Sequence, residues 1–424
     1  MHISGFENFN ITKLFYYYLT TNKIQGTLNN KISTSFKLLG LLIYRIFISH
    51  INIKEKSPLK KDSKILFIES KSYRKDIKEM LSNVQQSINK NLYDILILNV
   101  SKTFSFKRTL SNLIKSIIWF KQIYSLKEYS LNEKLSFIRI LIDFKDIENC
   151  MQKIIYKKQY NLCIFFYDAE TYQNFLSQYL QHKGIKTATL QHGIMLAPRS
   201  EVTNNIDFAG IEFESFVSNY FLVWNKFTQN EAIKAGIPEN KIKILGIAKC
   251  INKQPIQTSL SQKRIGIILD GKFEEENNEP MIKIVNQFAK ENGYTYILRY
   301  HPNFTGNEYD NFIDSTIGEN CSQNISLEKF LSQISFCIVA NSTVLFELEY
   351  YKIPFLRYAT NNIKDKFKDY PSRTFKNIKE LEWNVKQMTS HIRYDSEHSN
   401  IQLNYKSFLE SFLKINSSLK IRQA

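Results

Sequence analysis

FCIVANSTVLFELEYYKIP, residues 336–354, decides how the rest of the chain is read. It opens with an unbroken apolar run, the mark of a strand buried on both faces. Asn341-Ser342-Thr343 closes that run, VLFELEYY follows at helical spacing, and Lys352-Ile353-Pro354 stops the helix. A strand that turns through hydroxyl residues into a helix offers backbone N–H groups and a positive dipole end, which suit a phosphate. YTYILRYHP, residues 294–302, repeats the strand and ends it in Arg299-Tyr300-His301-Pro302. A histidine closing a neighbouring parallel strand can add a hydrogen bond to the same anion. Together the two loops predict a domain that holds a nucleotide mono- or diphosphate.

Working outward, the same alternation extends on both sides. RIGIILD (Arg264–Asp270) predicts the first strand of this domain, a helix follows around Met281–Glu291, another lies within SLEKFLSQ, and PFLRY predicts a further strand. An earlier alternation begins at KILFIE (Lys64–Glu69). It continues through DILILNV (Asp94–Val100), NLCIFFY (Asn161–Tyr167), KTATLQ (Lys186–Gln191) and NYFLVW (Asn219–Trp224). LIKSIIWFKQI and KLSFIRILIDF supply helical patterns between those strands. KFTQNEAIKAGIPENKIKILGI reads as a helix, a Gly-Ile-Pro stop, and a strand at Lys241–Gly246. Polar INKQPIQTSLSQ divides the two alternations. The expected organisation is a helical N-terminal segment (1–60), a Rossmann-like domain (61–250), a linker (251–262), a second Rossmann-like domain (263–400), and a terminal helix (401–424) packing back on the body.

A chain of 424 residues is long for one core, which agrees with two α/β domains. An apolar fraction of 43% with 31 Phe and 24 Tyr excludes a disordered chain. The formal charge of +17 calls for an anionic partner or surface, although a low-GC genome would also enrich lysine. Nucleic acid is not expected, because no zinc-finger spacing or RNA-binding motif is present. Cys150, Cys163, Cys250, Cys321 and Cys337 form no C-x-x-C pair and read as free thiols in a reducing compartment. With no secretory signal pattern at the start, the expected location is the cytoplasm. FKLLGLLIYRIFISHI (Phe36–Ile51) is apolar but carries Lys37, Arg45 and His50, and the basic run KEKSPLKK follows it. It is too charged for a spanning helix. It either packs on its own domain or lies peripherally on the inner face of the cytoplasmic membrane.

Four pieces in order carry a resemblance: Gln191-His192-Gly193 after a strand; WNKFTQNEAIKAGIPENKIKILG; His301-Pro302; and Asn341-Ser342-Thr343 followed by Phe346-Glu347. The chain from about Lys64 onward resembles the GT-B glycosyltransferases, two Rossmann-like domains facing across a cleft. Among them it is most similar to bacterial capsule, lipopolysaccharide and wall-polymer enzymes, including the CMP-sugar (sialic acid and Kdo) transferases and the CDP-glycerol polymer transferases. The resemblance implies a nucleotide-sugar donor, used as a substrate with no cofactor, and a glycan or lipid-linked acceptor. It implies that His301 contacts the donor phosphate, that Glu347 holds the ribose, and that Asp270 is the catalytic aspartate of the nucleotide domain. Where the family has glycine before Ile-Pro, this chain has Lys352.

The residues themselves add further expectations. Ser342 and Thr343, with Asn341, are expected on phosphate oxygens, and Gly271 lets backbone approach the ligand beside Asp270. Pro302 and Arg299 flank His301, with Arg299 ranked lower because an acidic neighbour can claim it. At the acceptor, His192 is a base or ligand, flanked by Gln191 and Gly193. Glu201 is a second candidate base and Arg199 a grip for an anionic acceptor, while Asp168 and Glu170 are weaker carboxylates of the same type. His2, His50, His182, His391 and His398 are assigned nothing. No metal is expected, because no Asp-x-Asp or clustered ligand spacing appears. Three rivals stay open: a CDP-polyol phosphotransferase or UDP-sugar transferase, a nucleotide-sugar epimerase, and a non-enzymatic membrane-associated binding protein.

Overall fold

A computed structural model describes residues 3–24, 32–102, 104–197, 213–251, 253–254, 256, 262–272, 275–302, 304–321, 325–359, 365–388 and 400–413. The chain forms two compact units, Met1–Ile251 with Ile401–Ala424, and Asn252–Asn400. Both are α/β, with sheets parallel but for one edge strand of the first, and the first unit begins with a helical segment; the two-domain α/β architecture and the N-terminal helices are as the sequence led us to expect.

In the first unit α1 (Ile11–Ile24) and α2 (Ile32–Phe47) precede β1 (Ser49–Glu55) and β2 (Ile65–Ser70). Then come α3 (Lys75–Gln86), β3 (Tyr93–Lys102), α4 (Phe106–Tyr124), α5 (Leu131–Lys157), β4 (Leu162–Phe165) and α6 (Thr171–His182). β5 (Lys186–Leu190), β6 (Tyr220–Val223), α7 (Lys226–Lys234) and β7 (Ile242–Ile244) complete the alternation. The strands lie in the order β1-β3-β2-β4-β5-β6-β7, parallel except that β1 pairs antiparallel with β3. β2 as far as Ile68 and the whole of β4 are apolar and buried on both faces, as strands covered by helices on each side must be.

The helix expected over Phe36–Ile51 ends at Phe47, and Ser49 onward is strand. Ser-His-Ile-Asn-Ile alternates, so Ser49, Ile51 and Ile53 are buried while His50 and Asn52 are half-exposed. That period of two outweighs the apolar density that suggests one long helix. α2 itself is packed on one side only, burying Leu42 and Ile46. Among the described residues no helix is long and apolar enough to cross a membrane.

A capping box at Ser130 and Glu133 starts α5, which buries Asp143 completely. Arg45 Nε reaches Asp143 at 3.1 Å, and the Tyr172 hydroxyl donates to it at 2.8 Å. Burial pushes the Asp143 carboxyl up to about 6, against the pull of Arg45 and Tyr172. A carboxyl with a folded pKa above its unfolded value of about 4 stabilises most below that value and loses the contribution as pH rises through about 6. Asp143→Asn cannot titrate. The stability of the wild type relative to this variant should therefore fall by about 2–3 kcal/mol between pH 4 and pH 7. Urea denaturation across that range measures it, and a pH-independent difference would refute the assignment.

In the second unit β8 (Arg264–Ile268), α8 (Asn278–Asn292), β9 (Thr295–Arg299) and β10 (Gly318–Asn320) lead to α9 (Leu327–Leu331) and β11 (Phe336–Val339). α10 (Val344–Tyr350), β12 (Phe355–Tyr358), β13 (Thr374–Phe375) and α11 (Ile378–Met388) follow. The sheet is parallel, in the order β10-β9-β8-β11-β12-β13. α12 (Ile401–Ser411) returns to the first unit. There the Tyr405 hydroxyl donates to the Gly246 carbonyl at 3.1 Å, and Phe408 and Phe412 pack on Tyr220.

Candidate functional site

Strand order fixes where ligands can bind. In the second sheet β9 and β10 lie to one side of β8 and β11 to β13 lie to the other. The chain reverses direction of winding between β8 and β11, and the loops leaving those two strands diverge there. Such a switch point is where open α/β sheets bind ligands. Asp270-Gly271 leaves β8 at this point, Asn341-Ser342-Thr343 leaves β11, and His301 leaves the adjacent β9.

Contacts within the second unit tie these three loops together. The Asp270 carboxylate accepts the Asn341 backbone N–H at 2.9 and 3.1 Å, and the Asn277 side-chain amide at 2.9 Å. Asn278 clamps the Asp270 backbone from both sides, accepting its N–H at 2.8 Å and donating to its carbonyl at 3.1 Å. The His301 ring lies over Gly271: a Cβ placed there would sit 3.3 Å from ring atoms, closer than a side chain tolerates without displacing the imidazole. Gly271 is thus where histidine and backbone approach closely. Pro302 is exposed in the turn that the Phe304 N–H closes onto the His301 carbonyl at 3.0 Å.

Ser342 and Thr343 are half-buried, and among the described residues their backbone N–H groups make no hydrogen bond. Asn341 turns inward and its side-chain oxygen accepts the Lys366 N–H at 3.2 Å. The segment carrying Lys366 is itself held by Arg357, which is buried and bonds Asp365 at 2.5 Å. Glu347 is 9% exposed, which excludes a solvated surface carboxylate. Lys352 adopts φ 57°, the left-handed value glycine would take at the end of α10. Ile353 N–H to Leu348 O at 2.9 Å and Lys352 N–H to Glu349 O at 3.0 Å close that end. The loop geometry survives the loss of glycine at a cost of about 1 kcal/mol.

Three expected site residues are committed elsewhere. Arg299 donates to the Ile325 carbonyl at 2.8 Å and lies over the Phe330 ring, so packing claims it rather than an acidic neighbour. Gln191 is 1% exposed, accepts the Trp224 N–H at 2.8 Å, and donates to Gly193 O and Thr228 Oγ1. It locks the end of β5 to α7 instead of facing an acceptor. Asp270 has both carboxylate oxygens spent on neighbouring amides, which suits a group that positions the Asn341 loop more than one that takes a proton. Sequence reasoning missed Asn277 and Asn278, which sit in EEENNE, a stretch that reads as solvated. The adjacent amide pair at the start of a helix was the available signal.

In the first unit the order reverses between β2 and β4, and a cavity of about 470 Å³ opens at that switch point. Ser70, Ser72, Tyr73, Asn99, Glu170 and Gln173 contribute its polar lining. Only Glu170 among them stands out in the sequence, as a weak carboxylate. Its side chain caps α6 by accepting the Gln173 N–H at 3.1 Å, and burial pushes its carboxyl up. Asp168 is consumed by the fold, accepting the Val217 and Ser218 N–H groups at 3.1 and 2.7 Å. His192 packs at a tilt against Tyr167 and Phe166, with ring centroids 4.2 and 5.1 Å away, and Phe166 in turn packs on Tyr73 of the cavity wall. Among the described residues no atom lies within 4 Å of a notional Cβ on Gly193. Arg199 and Glu201 lie outside the described residues, as do His2, His391 and His398. Among the described residues no group of three His, Cys, Asp or Glu is placed to hold a metal ion.

Comparison with known proteins adds structural likeness alone. The chain is similar to a UDP-GlcNAc 2-epimerase from Neisseria meningitidis bound to UDP-GlcNAc. The two are 12% identical over 82% of this chain and 99% of that one, with a TM-score of 0.49. It is also similar to the UDP-GlcNAc 2-epimerase of Methanocaldococcus jannaschii, at 12% identity over 80% and 98% of the chains and a TM-score of 0.47. The glycotransferase of kitacinnamycin is another, at 10% identity over 82% and 98% and a TM-score of 0.46. No family model matches the chain, and no curated protein matches it. Identities and scores this low leave the chemistry to be read from the chain's own residues.

Proposed function

We propose that the chain is a glycosyltransferase that moves a sugar from a nucleotide-activated donor to a glycan or lipid-linked acceptor in cell-surface polysaccharide synthesis. The observation that carries this reading is the gathering of His301, Asp270-Gly271 and Ser342-Thr343 at the switch point of the second sheet. The second unit holds the nucleotide. Its phosphate accepts hydrogen bonds from His301 and from the Ser342 and Thr343 hydroxyl and N–H groups. Glu347 serves the ribose.

Charge that grows on the leaving phosphate is met by donors already in place, which is how a preorganised site lowers a barrier. An acceptor hydroxyl forms the new C–O bond at the anomeric carbon as the bond to the phosphate oxygen breaks. Its proton passes to a general base. Asp270 acts as a positioning residue for the Asn341 loop. The first-unit cavity takes the acceptor, and the enzyme works in the cytoplasm.

The sequence resemblance favours a CMP-activated acidic sugar, Kdo or sialic acid, as donor. A thermal-shift panel of CMP, CDP, UDP and their sugars, followed by an assay of nucleotide release with acceptors, tests both levels. Protection by CMP above UDP supports the narrow reading, and protection by UDP alone replaces it with a UDP-sugar enzyme. No protection by any nucleotide and no release would overturn the function.

A further inference from the structure

Away from both switch points, the first unit carries a long apolar face that the described residues leave uncovered. Phe106, Leu110, Leu113, Ile117, Phe120 and Tyr124 follow one another at helical spacing along α4 and all are exposed, Phe106 at 73%. The opposite side of α4 buries Trp119 and Ile123, so this helix is packed on its back and bare on its front. α2 lies beside it and repeats the arrangement, with Phe36, Leu39, Ile43 and Phe47 exposed. Arg108 bolts the two together, donating to Asp146 of α5 at 2.7 Å, to the Arg45 carbonyl at 3.1 Å and to the Ser49 carbonyl at 2.8 Å. At 1.5 Å per residue the stripe on α4 is about 28 Å long, far beyond the scattered apolar residues of an ordinary surface.

Charge decides what covers it. Neither α2 nor α4 contains a single Asp or Glu, while together they carry Lys37, Arg45, Lys107, Arg108, Lys115 and Lys121. Beside the stripe, a groove of about 720 Å³ runs between α4 and α5, with Lys107, Arg108, Lys153 and Lys157 in its lining. Arg45 and Arg108 are spent on Asp143 and Asp146, so the exposed cations of this flank are lysines, Lys37, Lys107 and Lys121 with Lys153 and Lys157 of α5. An apolar front flanked by such lysines is the pattern of a helix lying in the headgroup region of a bilayer. A second copy of the chain docked through α4 would satisfy the apolar side chains but set lysine against lysine. Anionic lipid satisfies both.

We infer that the α2–α4 face docks the protein on an anionic membrane surface, with the α4 stripe among the acyl chains and the α4–α5 groove receiving lipid phosphates. This surface lies on elements that carry none of the nucleotide residues, and the inference stands whether or not the donor is a nucleotide sugar.

Vesicle flotation of the full chain tests it, with phosphatidylcholine alone against phosphatidylcholine containing about 30% phosphatidylglycerol. The wild type should float with the anionic vesicles, lose binding as salt rises to about 0.5 M, and stay behind with the neutral ones. Lys107→Gln/Lys121→Gln should weaken partition about thirtyfold, and Leu110→Gln/Ile117→Gln should abolish flotation. All four side chains are exposed, so melting should not change. If the apolar pair melts early, the lysine pair alone decides. Absence of binding to anionic vesicles, equal binding to both vesicle types, or wild-type binding by the lysine variant would overturn the inference. So would a dimer in light scattering that Leu110→Gln/Ile117→Gln dissolves, which would assign the stripe to a second copy.

Discussion

Asp270→Ala should destabilise the second unit by about 2–4 kcal/mol, the largest stability loss we expect from any single residue at the nucleotide site. The aspartate is 2% exposed and accepts one backbone N–H and one side-chain amide, so alanine leaves both donors in a dry environment. Each orphaned buried donor costs about 1–3 kcal/mol. In a unit of this size that corresponds to a fall of roughly 5–15 °C in its melting transition, readable by calorimetry. Asp270→Asn separates positioning from catalysis. Its remaining oxygen can still accept the Asn341 N–H, so it should recover about half of the lost stability and most of the transfer rate. An Asn variant that melts like the wild type yet transfers no sugar would instead make Asp270 the catalytic base.

His301→Ala should act in the opposite way, on rate and not on stability. Its ring is half-buried over Gly271. Melting of the unliganded protein should move by less than about 1 kcal/mol. If the imidazole donates to the departing phosphate, its loss should lower kcat/KM about 10²–10³-fold, the usual consequence of removing one preorganised donor. Protection by nucleotide should shrink as well, because part of that hydrogen bond exists in the ground state. Gly271→Val is the companion variant. It leaves the histidine in the chain but crowds its ring, and should reproduce part of the rate loss. Full activity in His301→Ala would remove the phosphate role, and equal loss of activity and folding would reassign the residue to structure.

What the sequence made legible follows from range. Apolar runs such as FCIVA and NLCIFFY announce buried parallel strands because their surroundings are apolar on both faces whatever the partner. The ends of those strands could be read too, and Asp270, His301 and Ser342 stand at such ends. β1 was hidden because only its alternation distinguishes it from the helix before it, and seven residues give a weak period. The bond from Asp270 to Asn341 spans 71 residues of chain, and no local pattern encodes it. Gln191 and Arg299 were misjudged for the same reason: a polar residue at a strand end looks alike whether a ligand or the fold claims its side chain. The switch-point cavity of the first unit depends on strand order, which emerges only when the sheet is assembled.

The return of α12 to the first unit has a consequence for how the protein is made. The ribosome delivers Met1–Ile251, then the whole of the second unit, and only afterwards the helix that seats against Gly246 and Tyr220. Domains usually fold in the order they emerge. Here the earlier one must wait, holding an open apolar seam around Tyr220 through the synthesis of about 150 further residues. Nascent chains stalled before Ile401 are therefore where a chaperone would be caught on this protein.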